Sequence, residues 1–224
     1  MAHHQIMGWS FLNAAESGNL VAGFAGISDY YPPLYYLVEA GLLAGLGASP
    51  YLPLFANLPG LIMLGYFTFR AVWLAVPSPW APAAGILAML MPLVTWTSRE
   101  SLLDVSVAGL VSLSIYLLLK SRCLESRSVA FMFGLSTAAG MLTKWSFALF
   151  VIPPVLYLLG RSRDRSRSLK NLIDAGLLAA PPVLWWYLPN LSMLLSRLQT
   201  TASGADWEGD PQLDTFLGLS LIHI

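Results

Sequence analysis

Long apolar runs broken at short polar intervals organise this chain. Leu54 to Val76 is long enough to cross roughly 30 Å of hydrocarbon as a helix, and it stops at Pro77-Ser78-Pro79. Trp80 to Trp96 and Leu103 to Leu119 follow as further runs. Val129 to Leu142 and Phe147 to Leu159 are shorter and are separated by Thr143-Lys144-Trp145-Ser146. Leu172 to Leu188 is the next, ending in Trp185-Trp186-Tyr187. Leu34 to Leu46 differs. It opens at Pro32-Pro33, carries Glu39 and would be roughly 20 Å long as a helix, too short to cross. The pattern predicts an all-α fold, a polytopic transmembrane helix bundle. Residues 1–53 form an outer loop with a non-spanning, membrane-associated helix, and 54–189 supply about six spans. Residues 190–212 are a polar outer loop, in which Asp206, Glu208 and Asp210 read as a solvated cluster, and 213–224 begin a further span.

Composition supports that class. Of 224 residues, 56% are hydrophobic and 11% charged, with a mean hydropathy of +0.64. A soluble domain of this size could not cover so much apolar surface. A net charge of zero gives no reason to expect a nucleic-acid partner. The single Cys123 excludes an intramolecular disulfide framework. Met1 to Asn19 lacks the basic start and apolar core of a cleavable signal peptide.

Basic residues concentrate in Lys120 to Arg127 and in Arg161 to Lys170. Positive charge marks the cytoplasmic side, so both loops are predicted there. Thr97 to Asp104 and Thr143 to Ser146 then fall on the outer face, and Pro77 to Pro79 on the inner, with Arg70 reaching towards it. Trp96, Trp145, Trp185 and Trp186 are expected at the outer interface, and Trp73 and Trp80 at the inner one.

This topology gathers unusual polar residues on one side. Glu100 and Asp104 are four apart, so a helix starting near Ser98 would set them on one face, with Arg99 close by. Two carboxylates together can serve proton transfer or hold a divalent cation. The plainer alternative is that Thr97 or Ser98 caps a helix and the charges are solvated. Lys144 opposes the usual charge bias of an outer turn, so it calls for an anionic partner. Either it bridges to Glu100 or Asp104, or it binds a phosphate. His3 and His4 are adjacent and would point apart on a helix, which disfavours chelation. The small residues of Gly134 to Gly140 suit close helix packing better than ligand binding.

Ser98-Arg99-x-x-Leu102-Leu103-Asp104 resembles the second-loop motif of the protein O-mannosyltransferases and their bacterial relatives, glycosyltransferase family 39 of the GT-C superfamily. Gly134-Leu135-x-x-x-x-Gly140-x-Leu142-Thr143-Lys144-Trp145 is similar to that family's glycine-rich helix ending in Lys-Trp. Asp29-Tyr30-Tyr31-Pro32-Pro33-Leu34 is similar to its outer-loop His-Pro-Pro-Leu segment, and Trp185-Trp186-Tyr187-x-x-Asn190 to the aromatic end of a later span. Four motifs in family order cover most of the chain. The resemblance implies an integral membrane enzyme of a bacterial inner membrane, with its site on the outer face. Its donor would be a polyprenyl-phosphate-linked sugar and its acceptor a protein, lipid or glycan, with inversion at the anomeric carbon. Lys144 would stabilise the departing phosphate with Arg99 as helper, Asp104 would orient the acceptor or hold a metal or water, and Glu100, Tyr31 and Trp145 would contact substrate.

The departures are equally specific. Tyr31 replaces the family's usual His, Tyr35-Tyr36 replace Gly-Lys, and Asn57 stands where bacterial relatives commonly have Arg. The family's first span and its first-loop Asp should precede Met1, so the chain is expected to be a fragment truncated at both ends, without its principal base. Two other classes stay open: a transporter or scaffold with Asp104 and Lys144 as an ion pair, and a lipid-binding protein without catalysis.

Overall fold

The computed structural model describes residues 3–18, 31–100 and 102–202. Among these the fold is all-helical, with ten helices and no strand. They are α1 (His3–Glu16), α2 (Leu34–Leu46), α3 (Leu52–Ala75), α4 (Ala81–Leu90), α5 (Pro92–Thr97), α6 (Asp104–Lys120), α7 (Arg127–Thr143), α8 (Phe147–Arg161), α9 (Arg165–Tyr187) and α10 (Leu191–Ala202). Residues 1–186 make one compact unit and residues 187–224 a second, whose described helix is α10. Asp206, Glu208, Asp210, the apolar run from Leu213, and Asp29-Tyr30 of the outer-loop motif lie outside the described residues, as do the side chains of His3 and His4.

The apolar runs became helices at nearly the expected bounds, with one correction. Trp80 to Trp96 is not a single helix. Met91 precedes Pro92, and the proline ring disfavours helical backbone in the residue before it. Met91 is accordingly extended, with ψ 131°, and the segment breaks into α4 and α5. By length and apolarity, one described helix, α3, is able to cross a membrane.

The centre of the first unit is the crossing of α3 and α6, where two glycines let backbones meet. A Cβ on Gly60 would stand 2.7 Å from Ser106 Cα, and one on Gly109 would collide with the Gly60 carbonyl oxygen. Gly134 lets α7 approach α9 in the same way, with Ala175 Cα 3.0 Å from where its Cβ would be. The small residues of that stretch do serve helix packing. Between α6 and α7 the buried hydroxyls of Ser114 and Ser136 share a hydrogen bond of 2.9 Å. One apolar core joins α6, α7, α8 and α9 through Leu117, Phe133, Phe147, Val151 and Ala175. Another joins α1, α2, α3 and the start of α6 through Phe11, Tyr35, Tyr36, Ala56 and Leu103. Glu39 of α2 is fully buried beside α1, where Gly8 leaves room for its side chain.

The two basic loops sit together. Between α6 and α7, Arg122, Cys123 and Leu124 all have left-handed backbone, with φ of 52°, 63° and 66°. Such residues cost roughly 1–2 kcal/mol each. Hydrogen bonds offset this: Ser121 Oγ accepts from the Leu124 N–H at 2.8 Å, and Asn171 Nδ2 of α9 donates to the Leu124 carbonyl at 2.7 Å. Glu125 Oε1 accepts from the Ser162 hydroxyl and from the Arg163 and Asp164 N–H groups, at 3.0, 3.0 and 3.3 Å. Those donors hold its carboxyl below the ordinary glutamate range.

The α3–α6 crossing is the packing feature most open to test. Gly109→Leu is expected to destabilise the protein by about 3 kcal/mol or more, because the new side chain meets backbone that cannot turn aside. Gly176→Leu, where a Cβ meets nothing within 4 Å, should change the thermal midpoint little.

Candidate functional site

The site is built by the way α5 ends. The last carbonyls of a helix have no partner within it and need donors from elsewhere. Here the donor comes from α3. Asn57, fully buried, donates from Nδ2 to the Glu100 carbonyl at 2.7 Å, and the Thr97 and Ser98 carbonyls lie 3.5 Å from the same nitrogen. Thr97 Oγ1 and Ser98 Oγ turn backwards, to the Leu93 carbonyl at 2.8 Å and the Thr95 carbonyl at 3.0 Å. Neither caps the following helix, whose N-cap position is Leu103. The chain therefore leaves helix at Ser98 and re-enters it at Asp104. This overturns the expectation that Glu100 and Asp104 share a helix face, because they are not on one helix.

Asp104 stands in the first turn of α6, where the free N–H groups and the helix dipole favour an anion. Lys144 is the C-cap of α7, where free carbonyls favour a cation. Its backbone is extended and its N–H bonds the Gly140 carbonyl at 3.0 Å. The two side chains meet, with Lys144 Nζ 2.7 Å from Asp104 Oδ1. Of the two partners weighed for Lys144, Asp104 is the one it pairs with. Lys144 is 19% exposed and Asp104 54%. A pair this open to solvent contributes roughly 0–1 kcal/mol, so its significance lies in where it holds charge and less in stability. The Tyr31 ring centre is 5.4 Å from Lys144 Nζ, which adds a cation–π contact. Trp145 follows Lys144 in sequence and is half-buried. Arg99 and Glu100 are exposed, and their side chains form no ion pair among the described residues. The structure thus brings together Asp104, Lys144 and Tyr31 and leaves Arg99 and Glu100 at the margin.

An apolar groove of about 130 Å³ lies between α2, α3, the start of α6 and the end of α7. Leu34, Val38, Pro59, Met63 and Leu110 form much of its wall, and its polar lining includes Ser106 and Thr143. Ser106 lies in the first turn of α6 and Thr143 ends α7, the same helix ends that carry Asp104 and Lys144, which do not themselves line the groove. An apolar cavity of roughly 150 Å³ admits a benzene-sized group, so this one suits an isoprene-sized segment. Tyr35 also lines it, and its hydroxyl is pushed well above the ordinary tyrosine range by burial and then by the Glu39 charge, with the Asn57 side chain pulling the other way. Its phenol therefore stays protonated. Among the described residues no three His, Cys, Asp or Glu side chains gather. With Asp104 turned to Lys144 and Glu100 elsewhere, this donor set does not fit a divalent cation.

Sequence reasoning noted Asn57 only as a departure from a family pattern. An amide among the apolar residues of the first half of a 24-residue helix was the available signal. Its partners, main-chain carbonyls 40 or more residues away, leave no trace in side-chain pattern. Asn57→Leu keeps the volume and removes the donor. It is expected to cost about 1–3 kcal/mol through the carbonyls left buried, and to speed amide hydrogen exchange from Ser98 to Asp104 more than in α8.

Comparison with known proteins finds no family model, no curated relative and no solved structure that matches this chain.

Proposed function

We propose that this protein is a polytopic membrane protein that binds a polyprenyl-phosphate-linked sugar at the Asp104–Lys144 end and transfers the sugar to an acceptor there, as a GT-C-like glycosyltransferase. The observation that carries the reading is that the two helix ends holding the ion pair also contribute Ser106 and Thr143 to an apolar groove, a charged head site and a chain site on the same elements. The surface fits a lipid solvent. Ile62, Ile86, Leu87, Leu93, Leu149, Leu156 and Leu177 are each more than half exposed, as side chains facing hydrocarbon would be. Charge divides between two ends of the bundle. The basic loops meet around Glu125, which the positive-inside rule assigns to the cytoplasm, and this leaves the Asp104–Lys144 end outside. Trp73, Trp80, Trp96 and Trp185 are exposed as interfacial tryptophans would be, whereas Trp186 is buried and departs from that belt.

The chemistry follows from these groups. In the transfer, the acceptor oxygen forms a bond to the anomeric carbon as the bond from that carbon to the phosphate oxygen breaks. The electron pair leaves on the lipid phosphate, and the acceptor proton passes to a carboxylate. Lys144, partly shielded from water, stabilises the charge growing on the phosphate. It would exchange its Asp104 contact for the phosphate as the donor enters. Asp104, released, faces the acceptor and orients its hydroxyl. Tyr31 lies against the lysine, and Arg99, Glu100 and Trp145 are near enough in sequence to contact the sugar or acceptor. The closed ion pair equally suits a protein that binds the lipid without transferring the sugar.

Reconstituted into vesicles with radiolabelled polyprenyl-phosphate sugar, the protein is expected to bind the donor and label an acceptor. Lys144→Ala should weaken donor binding at least tenfold, and Asp104→Asn should leave binding intact while lowering transfer at least a hundredfold, as positioned acid–base groups do. Normal transfer by Asp104→Asn overturns the role assigned to that carboxylate, and binding without transfer in the parent protein identifies the non-catalytic alternative.

Topology is read with Cys123. Burial and then Glu125 push its thiol above the ordinary range, so little thiolate is present near neutrality and labelling should rise with pH. In sealed inner-membrane vesicles of known orientation, an impermeant thiol reagent is expected to reach Cys123 from the cytoplasmic side alone.

A further inference from the structure

Two cations with no role in the sugar-transfer site converge on one ring at the opposite end of α6, a helix length of roughly 25 Å from Asp104. The Arg70 guanidinium carbon of α3 lies 5.8 Å from the centre of the Tyr116 ring and 6.0 Å from that of Tyr66. Lys120, in the last turn of α6, places Nζ 5.5 Å from the same Tyr116 ring. Tyr116 is 7% exposed and packed against Phe67, so the platform beneath both cations is fixed. Arg70 Nε is buried and has no hydrogen-bond acceptor. Neither cation pairs with a carboxylate among the described residues. The acids on the adjoining basic loops and α9 are already engaged. Glu125 accepts from the α8–α9 loop, Asp164 Oδ1 accepts from the Arg167 N–H at 3.0 Å, and Asp174 faces Arg127 at 3.7 Å.

We infer that Arg70 and Lys120, seated on Tyr116, form a binding site for the phosphate of an anionic phospholipid. A guanidinium and an ammonium seated on one fixed ring, neither paired with a carboxylate among the described residues, can each give a phosphate oxygen a charge-assisted hydrogen bond. The neighbouring cations lean on rings in the same way, Arg161 over Tyr157 at 5.3 Å and Arg127 over Phe131 at 5.5 Å. Stacking leaves their charge available to an anion while the rings stay in apolar surroundings, which is the environment of lipid headgroups. Arg127 already faces Asp174 and Arg165 donates to the Gly160 carbonyl at 3.0 Å, so Arg70 with Lys120 is the pair on two helices that shares one ring and lacks an anion. The site rests on the membrane reading given above and is separate from the donor site.

The test uses the full chain purified in neutral detergent and the lipid it retains, read by native mass spectrometry after exposure to equal phosphatidylglycerol and phosphatidylcholine. The protein should retain phosphatidylglycerol preferentially. Lys120→Gln, at an exposed position, and Arg70→Gln should each lower that preference about fivefold, the effect of one basic residue near an anionic headgroup. Lys170→Gln, on the same basic end but away from Tyr116, should leave it unchanged. Equal preference in all four proteins, or an equal loss in Lys170→Gln, overturns the site, since the first denies selectivity and the second reduces it to net charge. Displacement of the lipid by millimolar inorganic phosphate also overturns it, because the occupant is then a free anion. Failure of the membrane reading is a distinct result, seen as release of the chain from membranes by alkaline carbonate.

Discussion

A single buried amide decides how the polar end of this molecule is arranged. Asn57 supplies the donor that the end of α5 lacks, at 2.7 Å from the Glu100 carbonyl. With that partner the chain can leave helix at Ser98 in a buried setting, turn, and begin α6 at Asp104. A continuous helix through this stretch would have set Glu100 and Asp104 on one face. Breaking it separates them and gives Asp104 a helix N-terminus to stand on. The Gly60–Gly109 contact brings α3 close enough to α6 for the amide to reach, so the packing of small residues and the placement of charge are one constraint.

The Asp104–Lys144 pair then forms where two antiparallel helices present opposite dipole ends side by side. Each charge is favoured by its own helix before it meets the other. The pair adds little to stability at its observed exposure, which leaves it able to open for an anionic ligand. The same two helix ends contribute Ser106 and Thr143 to an apolar groove, which under the proposed function gives that opening a chemical meaning. Under that proposal a ligand with a charged head and a hydrocarbon tail would suit both features, whereas a soluble sugar nucleotide would leave the groove unfilled.

The other end of the bundle shows the opposite economy of charge. Its carboxylates are drawn into hydrogen bonds that hold the α6–α7 turn against the α8–α9 loop. Arg70, Lys120 and Arg161 rest instead on aromatic rings. Three consecutive left-handed residues are tolerated there because Ser121 and Asn171 bind the strained backbone. At one end the cation meets an anion, whereas at the other Arg70 and Lys120 stay stacked on a ring with no carboxylate partner among the described residues.

The positions of most apolar helices, the shortness of α2 and the division of charge between two kinds of loop were legible from residue order, whereas α10 lies where a polar loop was expected. Apolar run length and basic-residue position are properties of the chain itself, needing no partner to be read. The break at Met91 was missed by reading Trp80 to Trp96 as one run, although its signal is local: Pro92 constrains the residue before it. The end of α5 was not legible, because the groups that fix it are main-chain carbonyls and an amide from another helix. Nor could sequence choose between Glu100 and Asp104 as the partner of Lys144. Both are carboxylates within four residues of each other, and only the direction in which α6 departs puts one of them 2.7 Å from the lysine. The meeting of Arg70 and Lys120 on Tyr116 was equally hidden, since it depends on the crossing of two helices whose contact faces carry no charge. Local chemistry set where the helices lie, and long-range hydrogen bonding and close packing decided which of their charges meet.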